Sequence, residues 1–308
     1  MVAYVRAGAA LLDLGIRPVA VYGSGHDGDV LDPVKAGALA AAGVPYLGPG
    51  RSLDEGRVRE LVGPGGVDLV VDVTYDGKSP YALDETAAER LGAGAPGAAG
   101  ATGALEASAA SGASGASAAS AASAAAGAPG AAGAPGAAGV PIVALSVGSE
   151  HSLAAIVGRF AELADALGAA DGPAGRERGR MGDAEAALRA AAGRTELRVL
   201  ALSGAGPEQV YLARPHAWPE LARLAELGVR FVEPGPGPGA SWLTTDWEHT
   251  VELGPDLVLF DSRANAVPPY RVPPGARLTP WNPETPPSPS AYARFFRDLT
   301  AALEDRES

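Results

Sequence analysis

Rings and cations gather where apolar runs of this sequence end. In the first half Tyr4 and Arg6, Tyr22 and His26, and Tyr75 with Asp76, Lys78 and Tyr81 each follow a run that reads as a strand. In the second half Arg214 and His216 follow another, and Trp242, Arg263 and Trp281 stand in or beside later loops. The chain holds only 8 Tyr, 4 Trp and 5 Phe and carries a formal charge of −12, so this gathering runs against its composition. Aromatic faces stack on flat or bulky groups, and guanidinium forks match carboxylate or hydroxamate oxygens. The set therefore suits a bulky anionic or neutral ligand, bound where strand ends meet a cleft.

Each of these residues also has a structural reading. Tyr4 and Tyr22 also fit as core aromatics at strand ends, for Tyr4 as readily as ligand contacts, and Arg263 as a partner of Asp261 or another carboxylate. Trp281, with Tyr270, lies in a proline-rich stretch that can simply wrap the surface. Arg214 and His216 flank Pro215, where function and structure weigh evenly. Trp247, beside Glu248 at a helix start, reads as packing.

Two other chemistries are testable on the same residues. A bare zinc or manganese site would draw on His26, His216, Asp76 and Glu150 or His151, yet no His-x-His or His-x-x-x-His pair occurs. Gly23-Ser-Gly-His-Asp-Gly28 and Gly204-Ala-Gly206 are glycine loops after strands, which suggests a cytosolic Rossmann-like enzyme or nucleotide binder. Asp27 and Asp29 would repel a pyrophosphate, and no Gly-x-Ser-x-Gly elbow is present. The reading is thus non-enzymatic, without a cofactor or a resident metal.

Composition narrows the classes further. With 24 basic against 36 acidic side chains the chain lacks the charge of a general nucleic-acid binder. Zero cysteine removes disulfides, thiolate nucleophiles and Cys-ligated metals. No run of ~20 apolar residues marks a membrane span. Between Gly92 and Gly139 only Thr102, Leu105 and Glu106 are neither Ala, Gly, Ser nor Pro. That tract buries too little to offset its ordering entropy and reads as a disordered insertion.

The elements that must position the candidate residues follow a βα rhythm in two blocks. Strands are expected at Met1–Val5, Pro18–Tyr22, Pro45–Leu47, Asp68–Val73 and Pro141–Leu145, and helices at Ala7–Leu14, Leu31–Ala42, Leu53–Val62 and Asp84–Leu91. A helix over 152–168, a polar break at Asp171–Arg180 and a helical run at Asp183–Ala192 come next. The rhythm restarts with strands at Leu197–Leu202, Gln209–Ala213, Arg230–Val232 and Asp256–Asp261. Helices are expected at Trp218–Leu227 and Asp246–Leu253, and a last one at Tyr292–Glu304 after the prolines of 268–289. The expected architecture is α/β. Two Rossmann-like lobes with parallel sheets, residues 1–150 and 194–308, are joined by a helical segment at 151–193, with the ligand cleft between them.

Several of these segments carry a family resemblance. Leu14-Gly-Ile-Arg-Pro-Val-Ala-Val-Tyr-Gly23 resembles the opening of the helical-backbone (class III) periplasmic binding proteins, the substrate-binding components of ABC importers for ferric siderophores, haem and cobalamin. Val67-Asp-Leu-Val-Val, Val140-Pro-Ile-Val, Ile156 through Gly168, Arg198-Val-Leu with Gln209-Val-Tyr-Leu, and Trp247-Glu248 through Phe260 resemble later family segments in the family's order. Trp281-Asn-Pro-Glu with Tyr292 is similar to the actinobacterial ferric-siderophore subgroup. The resemblance implies a monomer that binds a ferric siderophore-like chelate and docks on an ABC permease through an acid on each lobe. Near Ala9, where the first acid would fall, there is none; Glu220 or Glu226 could supply the second. It also implies an upstream signal peptide and an extracytoplasmic, cell-surface location, whereas a chain complete as written would be cytoplasmic.

Overall fold

The computed structural model describes residues 1–53, 56, 58, 60, 67–84, 87, 140–169 and 173–305. The tract Gly92–Gly139 lies outside them, as do most residues of the helices expected at Leu53–Val62 and Asp84–Leu91. The chain divides into two compact units. The first comprises Met1–Leu31, Ala38–Val147 and Gly158–Gly172; the second comprises Asp32–Gly37, Gly148–Val157 and Pro173–Ser308.

The first unit is built on a five-stranded sheet of order β3-β2-β1-β4-β5, parallel throughout. Its strands are β1 (Val2–Tyr4), β2 (Ala20–Gly23), β3 (Tyr46–Pro49), β4 (Val70–Thr74) and β5 (Ile142–Ser146). β1, β2 and β4 are buried at every position, which is why they read as unbroken apolar runs instead of alternating ones. Helix α1 (Val5–Asp13) leaves β1 without a connecting loop. Gly8 lets α1 lie close on the sheet, since a Cβ there would stand 2.7 Å from Val21 Cγ1. Of the helix expected at Leu31–Ala42 only a short α2 (Pro33–Ala36) forms, capped by the Asp32 carboxylate on the Val34 amide. Its segment packs with the second unit.

Helix α3 (Leu153–Ala166) contains the division between units, and α4 runs from Pro173 to Ala192. The polar residues expected to break the chain at Asp171–Arg180 mostly belong to α4, where they form exposed turns ahead of the buried Ala184, Leu188, Ala191 and Ala192.

The second sheet has the order β11-β10-β6-β7-β9. β6 (Arg198–Gly204), β10 (Leu257–Asp261) and β11 (Arg277–Trp281) are its parallel core. β7 (Val210–Ala213) and β9 (Trp242–Thr245) extend it antiparallel, so only part of this sheet follows the parallel expectation. β8 (Arg230–Phe231) pairs with the first two residues of β6, and β7 takes the last three. α5 (Pro219–Glu226) and α7 (Pro289–Glu304) bury Leu221, Leu224, Tyr292, Phe296 and Leu299 against the side of the sheet that shows Val199, Ala201, Leu257 and Leu259. α6 (Trp247–Leu253) sets Trp247 against Leu200, Leu202, Leu212 and Val258 on the other. Among the described residues no helix is long and apolar enough to cross a membrane.

Candidate functional site

Strand ends of the first unit carry a chain of tyrosine rings. Register places Tyr22 beside Tyr4 across β2 and β1, and the Tyr4 ring leads on to Tyr81 and Tyr75. Successive centroids are 6.3, 5.8 and 4.9 Å apart, the last two pairs meeting edge to face. Tyr4 and Tyr22 are fully buried, while Tyr75 is 40 % exposed. The ladder therefore runs from core to surface. Arg6, buried at the start of α1, donates from Nη1 to the Tyr75 hydroxyl at 2.8 Å. Lys78 and His26 are exposed.

At the inner end of the ladder the Tyr22 hydroxyl donates to the Asp72 carboxylate, 3.0 Å away. Burial, then the Asp72 charge and this hydrogen bond, push the Tyr22 phenol well above its usual range. Asp72 is fully buried on β4, and burial raises its carboxyl to about 7 although four hydrogen bonds pull the other way. Asp72 is not among the residues singled out from the sequence. Its signal was an acid inside the run Asp68-Leu-Val-Val-Asp-Val73, where a parallel core strand needs none. Asp76, in the turn that follows, accepts from the Ser79 and Lys78 amides and the Thr74 hydroxyl, which lower its carboxyl to about 2.

The second unit gathers tryptophan. Trp218, Trp242 and Trp281 have centroids 4.8, 5.5 and 5.9 Å apart, and Tyr211 adds a ring 6.4 Å from Trp242. Trp281 closes β11 and is buried, and its Nε1 finds no hydrogen-bond partner among the described residues. Trp242 is half-buried at the start of β9. Arg214 turns its guanidinium onto the carbonyls of Gly239, Gly235 and Gly237 at 2.9–3.0 Å, fixing the loop that delivers Trp242. His216 is exposed on the turn beyond it. Arg263 forks onto Asp261 at 2.7 Å and reaches Glu284 at 2.6 Å. Glu284 also holds the buried Lys35 at 3.0 Å. The pairing with Asp261 was legible two residues away in sequence; Glu284 and Lys35 were not.

Other chemistry finds little support in these loops. In Gly23–Gly28 the Asp27 carboxylate takes the Ser24 amide and hydroxyl, so an anion would meet an acid there. Gly204–Gly206 belongs to the β6–β7 hairpin, with no helix following, and Gly206 O accepts the Trp247 indole. Among the described residues no three His, Asp or Glu side chains group as a metal site would require. Of the two acids weighed for docking, Glu220 is buried and Glu226 is exposed beside Arg223.

No family model matches the sequence, and no curated protein matches it significantly. Solved structures do. DesE, a ferric-siderophore receptor protein from Streptomyces coelicolor, aligns with a TM-score of 0.73 at 22 % identity over 99 % of this chain and 92 % of its own. This chain has the fold of a two-lobed binding protein. FhuD from Vibrio cholerae, a siderophore binding protein solved with Fe3+-Desferal, aligns at 0.56 and 16 % identity over 98 % of this chain and 97 % of its own. The periplasmic heme-binding protein HutB of Vibrio cholerae aligns at 0.57 and 14 % identity, over 99 % and 98 %. Within this fold the tyrosine ladder sits at the carboxyl ends of β1, β2 and β4. The Arg263 ion cluster and Trp281 sit at the carboxyl ends of β10 and β11.

Proposed function

We propose that the protein is the non-enzymatic solute-binding component of an ABC importer and binds a ferric siderophore-like chelate. The observation that carries this reading is the tyrosine ladder, which brings the half-exposed Tyr75, with Lys78 beside it, to the carboxyl end of a parallel sheet. Openings at such strand ends are where α/β folds take ligands. The solved structures support the chelate class, since DesE and FhuD are described as ferric-siderophore and siderophore binding proteins.

Exposure divides the candidates into two roles under this reading. In the first unit Tyr75, Lys78 and His26 are the accessible candidates for ligand contact, and in the second unit Trp242 and His216 are. Tyr4, Tyr22 and Arg6 back the first set and Arg214 and Trp281 back Trp242, whereas Arg263 braces Asp261 and Glu284. A binding component of this kind works outside the cytoplasm with a permease, and Glu226 is the accessible acid for the second unit's contact. Titrating the protein with ferric desferrioxamine, ferric citrate, a ferric catecholate and hemin, followed by tryptophan fluorescence, tests the proposal. Quenching that saturates with one ferric chelate is expected. Silence with all three ferric chelates overturns the siderophore reading, and a response to hemin alone replaces it with a tetrapyrrole.

A further inference from the structure

We infer that Asp72 is a positioning residue: its buried carboxyl gathers the amides at the far end of the Tyr75–Leu83 loop and so sets where Tyr75, Lys78 and Tyr81 stand. What the loop then binds rests on the chelate reading above. An alanine or valine at position 72 would continue β4 and complete its apolar run. Instead the carboxyl accepts from Val73 N at 2.7 Å, Ala82 N at 3.3 and 3.2 Å, Leu83 N at 3.2 Å and the Tyr22 hydroxyl at 3.0 Å. Two of these donors lie ten and eleven residues along the chain, at the far end of the loop. They tie its return to the strand from which it departs. Gly50 closes the arrangement from above: a Cβ there would lie 2.2 Å from Ala82 O and 3.0 Å from Tyr22 Cδ2.

All four donors are neutral. The titratable and charged groups on the elements packed around Asp72 are Tyr22 on β2, Tyr4 on β1, Arg6 at the head of α1 and Asp13 at its end, and Tyr75, Asp76, Lys78 and Tyr81 of the loop. β5 sets Ala144 beside it. Arg6 is directed at Tyr75, and among the described residues no cation forms an ion pair with Asp72.

This hold responds to a proton. Swinging the loop away would hydrate the carboxyl and return it to ordinary acidity, whereas the closed loop keeps it at about 7. Closure therefore binds the proton more tightly than opening does. Linkage makes closure strongest in acid, weakening as pH rises from about 4 toward 7 and level above that. Tyr22 accommodates both states. When Asp72 carries the proton, the phenol can accept it and turn its own hydrogen toward Val71 O, 3.4 Å away.

Hydrogen exchange at the Ala82 and Leu83 amides in the full chain, corrected for intrinsic chemistry, tests this without any ligand. Protection in the unsubstituted protein should fall between pH 5 and 7, by at most about tenfold per unit. Asp72→Asn, which mimics the protonated carboxyl, should stay folded with a flat profile. Tyr22→Phe should move the midpoint upward, because a hydrogen bond to the ionised form is lost. A flat profile in the unsubstituted chain, or an Asp72→Asn profile that parallels it, overturns the inference. Ferric desferrioxamine affinity measured at pH 5.5 and 8 separates the two claims. Tighter binding at 5.5, lost in Asp72→Asn, supports both. Exchange that tracks pH while no chelate binds sinks the chelate reading and leaves the role of Asp72 standing.

Discussion

The two units bury acids in opposite ways. In the second, Asp261 and Glu284 stand among cations, Arg263 between them and Lys35 beyond, and Ser203 donates to Asp261 at 2.8 Å. In the first, Asp72 is just as buried and meets only amides and a phenol. Hydrogen bonds and charges from the acids raise Arg263 against the pull of burial, so that cluster keeps its cation at any ordinary pH. Asp72 has no such counterweight and rises to about 7. A cation-matched cluster is a fixed brace; a carboxyl held by neutral donors is an adjustable one.

The largest test strikes the brace. Lys35 comes from α2, a four-residue helix too short to persist alone, and its ammonium is wholly buried against Glu284. Lys35→Met leaves that acid with one cation fewer in a dry site, and should cost about 3–5 kcal/mol in urea unfolding. Replacing both partners, Lys35→Met with Glu284→Leu, should recover much of the loss, since matched apolar groups substitute for buried pairs. If the single change is neutral, the brace carries nothing and the contrast with Asp72 collapses.

The next test strikes the adjustable site. A carboxyl raised on folding favours the native state when protonated, so its contribution is whole below pH 4 and drains away up to about 7. The slope is about 1.4 kcal/mol per pH unit in that window. It should appear as the difference in urea stability between the unsubstituted protein and Asp72→Asn, measured from pH 4.5 to 8. If the stability of the unsubstituted protein minus that of Asp72→Asn stays constant or rises with pH, the assignment is contradicted.

These two sites also mark what could be read from the sequence. The strands of the first sheet were legible because a parallel strand covered on both faces must be apolar throughout. β9 and β11 were not: Trp242 and Trp281 stand in stretches so rich in glycine and proline that they read as loop, although edge strands tolerate such residues. α4 was half hidden because its first turns face solvent with no apolar stripe. Among site residues, ring and cation types at strand ends could be gathered by order alone. Which of them face outward could not, since exposure depends on partners far along the chain: Arg6 with Tyr75, Arg214 with Gly235–Gly239, Arg263 with Glu284. Lys35 drew no notice, because nothing local distinguishes a surface lysine from one that pairs 249 positions away.

A smaller effect is expected at the ladder's outer ring. Tyr75→Ala should weaken chelate binding by about tenfold, on the scale of one aromatic contact, with a small loss of stability from the Arg6 hydrogen bond and the Tyr81 ring contact. Tyr75→Phe keeps the ring but removes the hydroxyl that Arg6 holds, and should weaken binding less. Equal losses in the two variants would move the weight from stacking to the hydroxyl.

The smallest effect sharpens the comparison most, because it lies four residues from Asp72. Asp76 is exposed, and its carboxyl is lowered to about 2 by the Ser79 and Lys78 amides and the Thr74 hydroxyl. The sign is reversed: a carboxyl lowered on folding supports the turn above pH 4 and releases it as pH falls toward 2. Asp76→Asn keeps an oxygen for the same donors and should leave unfolding unchanged while flattening the acid-side loss of protection at Lys78 and Ser79. Asp76→Ala should raise exchange at those amides at every pH. The loop that carries Tyr75 and Lys78 is thus secured by two carboxyls with opposite responses, one failing in strong acid and the other relaxing toward neutrality. Their overlap confines the tightest placement of the binding residues to mildly acidic solution, and affinity measured across pH 3 to 8 should peak there and not rise steadily toward either end.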